Sequence, residues 1–302
     1  MSWLLFAFTA PVLWAVSTHI DKYVVERWFR QGNVAVLLVF TAAINLLLPV
    51  LIWLWRPAAV ALPAPDIAVI AASGMLSMTA MFFYLQALQS AEASMIAPLF
   101  QTAPLFGYGL GYLVLHETLS RLQLAGGAVT VAGALLLSVE PAGRGVRLRG
   151  RLMLLMLGCA FALSLSSLVF KFFAVRTEFW GTLAWNSSGE ALFGVALLVP
   201  GRNRRQLGVM LRANTAAVLT INAVNEVVNL GGSLAVRYAL LLAPLSLVQA
   251  VSGTTSLFVF GFGVLLSLLA PRLGREDLSL HTLLQKGLAA ALVVVGVVLL
   301  SF

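Results

Sequence analysis

The chain has 302 residues, of which 61% are hydrophobic and only 10% are charged. Soluble domains are nearer half apolar and a quarter charged, so this composition excludes an ordinary soluble protein. The formal net charge of +8 does not indicate nucleic-acid binding, because the basic residues lie in short gaps between apolar blocks, as juxtamembrane charges do. The single cysteine, Cys159, excludes an internal disulfide and a cysteine-based metal site.

The apolar residues come in blocks of about twenty, the length with which an α-helix crosses a bilayer. We therefore predict an all-α polytopic membrane protein, with residues 2–20 as a retained first helix, since no basic segment precedes them. The connections run at most about a dozen residues, which leaves no room for a soluble domain. The ten predicted spans are residues 2–20, 34–55, 67–89, 94–115, 122–139, 151–174, 179–199, 214–241, 245–269 and 283–302.

Several predicted spans of the first half carry polar or basic side chains. Trp14 and Thr18 share a face of the first span with Lys22. In the third span, Gln86 lies on a face of methionine and phenylalanine, which suits core packing or the wall of a solute cavity. In the fourth span, Gln101 lies between two prolines that free backbone carbonyls, which favours a position at a binding site.

In the second half, the seventh span contains an acid, Glu190, preceded within about a turn by Trp185 and Asn186. A buried acid is paired, protonated or used to bind a proton or a cation, so Glu190 is a candidate for coupling. The ninth span corresponds to the proline-containing fourth span and carries Gln249, which we expect near the same centre as Gln101.

The eighth span carries the most polar stretch, "NAVNEVVNL" at 222–230. With 100° per residue, its polar residues fall on one helix face, and a mid-membrane charge facing lipid costs roughly 2.5 to 3.5 kcal/mol. The face must meet protein or a water-filled cavity, so its amides either join helices or bind solute. Arg237 lies about three turns from Glu226, so its ion-pair partner must come from another helix. The face comprises Asn222, Asn225, Glu226, Asn229, Ser233 and Arg237.

The chain also repeats itself. A shift of 152 positions aligns residues 94–111 with 246–263 at six identities in eighteen, and "GALLLS" (133–138) matches "GVVLLS" (296–301). Two units follow, residues 1–140 and 141–302, each with five spans. Because five is odd, the second unit enters the membrane inverted, as in secondary transporters that bind solute between their halves. The fifth and tenth spans, uniformly apolar, are predicted to be peripheral.

A shift of 149 positions pairs Lys22 with Lys171, at opposite ends of the two repeats. Two interpretations are open for this pair. Either both lysines snorkel to the membrane interface, or each is a gate cation that pairs with a carboxylate when its side closes. We include Arg237 with them as a third candidate for gating.

Lysine and arginine counts predict the orientation. With ten spans, 14 of these residues lie on one side of the membrane and five on the side that holds both termini. The positive-inside rule then places both termini outside.

The chain resembles the EamA-like family of the drug/metabolite transporter superfamily. The resemblance rests on "HIDKY" (19–23), on "YLQALQSAEASMIAPLFQTAPLFGYGLGYLVLHETLSRLQLAGG" (84–127) and on "YALLLAPLSLVQAVSG" (238–253). It implies two five-helix repeats and transport of amino acids, nucleotide sugars, quaternary amines or other metabolites. It also implies cytoplasmic termini, the opposite of the charge count.

We predict a secondary transporter of a small amphipathic or amine-bearing solute in the plasma (inner) membrane, as a monomer or homodimer. The alternatives are a non-transporting membrane scaffold and a membrane enzyme that acts on lipid. The enzyme is disfavoured because the three histidines are scattered. No phosphate-binding loop or catalytic motif occurs, so we expect no catalytic residue, no metal and no cofactor.

Overall fold

A computed structural model describes residues 2–24, 34–90, 99–100, 102–138, 150–213, 215–269 and 280–300, and within these ranges the chain forms helices and no strand. A 3-10 helix spans Pro57–Val60, and a π-helical turn spans Gly111–Leu115. The helices are α1 (Ser2–Val24), α2 (Val34–Asn45), α3 (Leu47–Trp55), α4 (Ala64–Ser90), α5 (Ala103–Leu110), α6 (Arg121–Ser138), α7 (Gly150–Arg176), α8 (Phe179–Leu197), α9 (Gly201–Ala213), α10 (Thr215–Leu242), α11 (Leu245–Ser252), α12 (Thr255–Leu269) and α13 (Leu280–Leu300).

Five of these segments are long and apolar enough to cross a membrane, which makes the protein a multi-pass membrane protein. They are α1, the α2–α3 pair, α4, α7 and the α11–α12 pair; α5 with its π-turn and α13 are apolar but shorter. Every predicted span coincides with a helix or a helix pair where the chain is described. The count of ten crossings and the inverted repeat remain predictions.

The predicted ninth span is interrupted where the sequence places Gly253 among hydroxyl residues. There α11 ends at Ser252, a turn follows at Gly253–Thr254, and α12 begins at Thr255. In the corresponding part of the first half, α5 begins at Ala103, with Pro104 in its first turn. The other proline predicted to disturb this region, Pro98, lies outside the described residues, as do residues 91–97 and 101.

Helices of the first half pack on helices of the second half. The neighbouring pairs include α1 with α10, α4 with α7 and with α8, and α2 with α8. In the antiparallel α1–α10 pair, the rings of Phe6 and Tyr238 are 4.6 Å apart, and Trp14 lies against Gly232. The largest buried apolar cluster likewise draws Ala7 from the first half and Leu168 and Leu240 from the second. The interior is therefore an interface between the halves.

A pair of glycines sets the crossing of α4 and α8. A Cβ added at Gly74 would lie 1.9 Å from the Asn186 carbonyl oxygen, and one at Gly189 would lie 1.9 Å from the Ala71 carbonyl oxygen. Both contacts are with backbone, which cannot rotate away, so the two helices touch only because both positions lack a side chain.

We expect Gly189→Ala to destabilise the protein by roughly 1–3 kcal/mol, because the added methyl group must push α4 and α8 apart. The matched control is Gly109→Ala, since a Cβ at Gly109 has no neighbour within 4 Å. Thermal unfolding in detergent measures both. Equal midpoints for the two variants would contradict close contact between the helices.

The helices of the fifth and tenth predicted spans, α6 and α13, pack on one another. Gly126 makes this contact close, because a Cβ there would lie 2.9 Å from the Gly296 carbonyl oxygen. α13 also buries Val293 and Val297 against Leu4 and Phe8 of α1. The peripheral placement of these two helices remains a prediction.

The helix α9 was not predicted, since the sequence analysis left residues 200–213 as a connection between two spans. Its arginines at 202, 204, 205 and 212 are exposed, whereas Leu207 packs on the cluster around Val24 and Val36. Basic residues on one face and apolar residues on the other are typical of a helix that lies on a membrane surface. Its thirteen residues and its charge exclude a span.

Candidate functional site

The polar face predicted on the eighth span is buried. On α10, Asn222, Asn225 and Glu226 expose 6%, 3% and 9% of their surface, whereas Val224 and Val227 expose 53% and 63%. The helical period therefore gave the correct face: polar residues meet protein, and valines face outward. These side chains make α10 more polar than the five most apolar segments. Burial within the protein keeps them from facing lipid, where they would be costly.

Near the start of α10, the polar face meets α1 and α2. The Asn225 side chain donates a hydrogen bond from Nδ2 to Asp21 Oδ1 at 2.6 Å, and the Thr41 hydroxyl donates to Glu226 Oε1 at 2.5 Å. Asn229 also forms a side-chain hydrogen bond with Glu226, as expected for residues three apart on a helix. We call these five residues, Asp21, Thr41, Asn225, Glu226 and Asn229, the acidic site.

Among the described side chains, the two carboxylates of the acidic site have neutral hydrogen-bond partners. Asp21 and Glu226 lie close enough for their charges to interact. The two ion pairs among the described side chains lie elsewhere, and neither contains Asp21 or Glu226. Two like charges in a desolvated place require a proton or a cation to be stable.

The second acid predicted in the membrane, Glu190 of α8, is neutralised. Arg237 of α10 donates from Nη2 to Glu190 Oε1 at 2.6 Å and to Asn186 Oδ1 at 2.6 Å. Asn45 donates to the other Glu190 oxygen at 2.7 Å, and Asn186 donates to Ser73 Oγ at 2.8 Å. The ion-pair partner of Arg237 thus comes from another helix, as predicted. We call Asn45, Ser73, Asn186, Glu190 and Arg237 the Arg237 network.

The Arg237 network differs from the acidic site in its balance of charge. Its one cation and one anion are in direct contact, and both Glu190 oxygens accept hydrogen bonds. The Arg237 guanidinium also lies 5.4 Å from the centre of the Phe170 ring. A satisfied, neutral network of this kind holds helices together.

A third polar contact joins the ends of α7 and α10 to the first half. Lys171 forms an ion pair with Glu117 and donates a hydrogen bond to the Ala243 carbonyl oxygen. The other Glu117 oxygen accepts from the Leu245 backbone N–H at 2.8 Å, at the first residue of α11. Lys171 is only 9% exposed, so it does not snorkel to the interface. Its repeat partner Lys22 lies on α1, with its side chain outside the described residues.

Other predicted residues make contacts between helices. Trp185 donates from Nε1 to the Val60 carbonyl oxygen at 2.9 Å, and Gln249 donates to Ser164 Oγ at 3.1 Å. The Thr18 hydroxyl bonds its own helix at the Trp14 carbonyl oxygen. Gln86 is half-buried on α4. None of these hydrogen bonds is with a residue of the acidic site, and Gln101 lies outside the described residues.

Several residues of these clusters were missed from the sequence. Asp21 and Glu117 appeared only within the segments that resemble the EamA-like family, with no role predicted for either. Thr41, Asn45 and Ser73 are ordinary polar residues in apolar helices, with no period that distinguishes them. Only the packing of neighbouring helices gives them partners.

The acidic site is closed in this conformation, since its α10 residues Asn225 and Glu226 are buried. Two clefts among the described residues lie elsewhere. One, of about 530 Å³, is an apolar groove between α12 and α13, and the other, of about 400 Å³, lies beside the 3-10 helix. No group of three His, Cys, Asp or Glu side chains in the described part of the chain is arranged to hold a metal ion.

Comparison with known proteins finds solved structures of similar fold and a family profile that matches the first half of the chain. A crystal structure described only as "Crystal structure of protein" matches with a TM-score of 0.66 over 99% of this chain and 96% of its own, and at 18% identity this likeness shows the fold alone. No curated protein matches the chain at a significant level. The profile of the EamA-like transporter family matches residues 1–139. Residues 1–139 are thus similar to the EamA-like transporters, a family of the drug/metabolite transporter superfamily.

Proposed function

We propose that the protein is a secondary transporter that moves a small amine-bearing metabolite by alternating access between its two halves. The observation that carries this proposal is the acidic site. Two carboxylates, the half-buried Asp21 and the buried Glu226, interact with each other, and neither takes part in the ion pairs of the described side chains. A cationic solute would supply the missing charge, and a proton would replace it when the solute leaves.

The acidic site is composed of both halves. Asp21 and Thr41 belong to residues 1–140, and Asn225, Glu226 and Asn229 belong to residues 141–302. Transporters with repeated halves bind solute at the interface between them, since relative movement of the halves then opens the site to either side. The same location supports alternating access here.

The Lys171–Glu117 contact supplies a closure at one end of that interface. Asn225 and Ala243 are 18 residues apart, which is about 27 Å along a helix, so this contact lies far from the acidic site. Because Glu117 belongs to the first half and Lys171 to the second, their ion pair must break when the halves separate at this end. Lys171 is therefore a gating residue in the proposed cycle.

Solute flux into proteoliposomes tests the proposed function. Thermal-shift screening of amines, amino acids, sugars and nucleosides would first select solutes that stabilise the purified protein. We expect amine-bearing solutes to stabilise it and to be transported. Absence of flux for every stabilising solute would favour a non-transporting scaffold, and chemical change of a lipid substrate would favour an enzyme.

The orientation proposed from charge places α9 and its arginines in the cytoplasm and both termini outside, in the plasma membrane. We expect a cysteine at Gly201, an exposed position on α9, to resist an impermeant thiol reagent in whole cells. A cysteine at the exposed Ala58, on the opposite side, should react. The native Cys159 is fully buried and contributes little background. The reverse labelling pattern would establish cytoplasmic termini.

A further inference from the structure

Around Asn225, hydrogen-bond acceptors outnumber donors. Asn225 directs its Nδ2 to Asp21 Oδ1, and its own Oδ1 accepts no hydrogen bond although the residue is 97% buried. Because the amide nitrogen and oxygen are bonded to the same carbon, the unpaired oxygen lies beside the Asp21 carboxylate. A buried acceptor without a donor costs about 1–3 kcal/mol, so this oxygen needs a partner in some state of the protein.

The excess of acceptors extends to Glu226. A carboxylate offers about four acceptor positions and no donor when ionised. The donors observed around the two carboxylates are neutral: the amide of Asn225 for Asp21, and Thr41 and Asn229 for Glu226. These donors leave acceptor positions open on both carboxylates.

Two further titratable groups that the structure describes near the acidic site, Glu190 and Tyr84, do not remove the excess. Glu190 of α8 is within electrostatic range of Glu226, but Arg237 neutralises it. Tyr84 of α4 is within electrostatic range of Asp21, and its ring packs against that of Phe100 with the ring centres 5.1 Å apart. The site as described therefore has negative charge and acceptor oxygens to offer to a ligand.

We propose that Asp21, the Asn225 side-chain oxygen and Glu226 bind a primary ammonium group of the transported solute. A primary ammonium has three N–H donors, no acceptor and one positive charge, which complements the acceptors and the charge of these residues. The hydrogen bonds from Thr41 and Asn229 solvate the charge that remains on Glu226. This inference rests on the proposed transport function and narrows its substrate class.

The inference separates two kinds of amine. A quaternary ammonium carries the same charge but has no N–H group, so it would leave the Asn225 oxygen without a donor. The site should therefore prefer a primary amine to its trimethylated form by about tenfold or more, the loss expected when charge-assisted hydrogen bonds are not made.

Binding to the purified full-length protein tests this preference. Phenethylamine and its N,N,N-trimethyl derivative share ring, chain and charge, and ligand-induced thermal stabilisation gives the apparent affinity of each. We expect the primary amine to bind at least about tenfold more tightly to the wild type. Asp21→Asn and Asn225→Ala should reduce this preference, whereas Gln123→Ala, which removes an amide from the start of α6, should keep it.

The outcomes are distinct from those of the flux assay. Equal affinity for the two amines, or a preference unchanged in both Asp21→Asn and Asn225→Ala, would overturn the ammonium site and leave transport of other solutes intact. Loss of the preference in the nearly isosteric Asp21→Asn variant, with an unchanged melting temperature, supports the site even if Asn225→Ala does not fold. Selective binding of the primary amine without any flux would retain the site and refute the transport function.

Discussion

Replacement of Glu226 by glutamine is expected to lower solute flux at least about tenfold, which corresponds to roughly 1.4 kcal/mol of lost interaction. Glutamine keeps the shape of the side chain and can still accept the Thr41 hydrogen bond, so the variant should fold and insert normally. It cannot carry a negative charge or release a proton. Flux through the variant should therefore also lose its dependence on pH, measured in proteoliposomes with an imposed pH gradient.

Asp66→Asn is the matched control for this variant. Asp66 lies in the first turn of α4, outside the buried clusters, so the change removes a carboxylate without affecting the acidic site. We expect its flux and pH response to equal those of the wild type. Wild-type behaviour of Glu226→Gln would mean that Glu226 only joins helices, and it would transfer the coupling role to another residue.

Replacement of Arg237 by methionine should cost about 3–5 kcal/mol of stability, because it leaves Glu190 as a buried charge without a partner. The Arg237 and Glu190 side chains expose 13% and 7% of their surface, so water does not compensate for the loss. Asn186 loses its donor in the same variant. Chemical or thermal unfolding in detergent measures this effect.

The double variant Glu190→Gln/Arg237→Met is the control for this prediction. It removes both charges, so most of the stability should return, since an ion pair replaced as a whole costs far less than one that is broken. A double variant as unstable as Arg237→Met would show that Arg237 stabilises the fold by packing on Phe170 rather than by its charge. Intact folding of all variants with abolished flux would instead make Glu190 a coupling residue.

The sequence by itself was sufficient for features that depend on helical geometry and solvent preference. Blocks of about twenty apolar residues predicted helices where the structure has them, because such a block must be helical to satisfy its backbone in lipid. The 3.6-residue period predicted which face of α10 is buried, and helix length excluded contact between Glu226 and Arg237. Both α10 predictions follow from one helix considered alone.

Only the tertiary structure determined which side chains the buried acids contact. Glu190 and Glu226 are each the single acid of a predicted span, yet the packing of α8 and α10 brings Arg237 to Glu190 and leaves Glu226 near Asp21. The helix α9 was missed for a related reason, since its apolar face becomes visible only when Leu207 packs on α1 and α2. Which side chains meet depends on how helices distant in the chain cross. The close approach of Gly74 to the Asn186 backbone and of Gly189 to the Ala71 backbone shows that backbone fit sets such a crossing. A periodic pattern identifies the buried face of a helix, but only packing determines what that face meets.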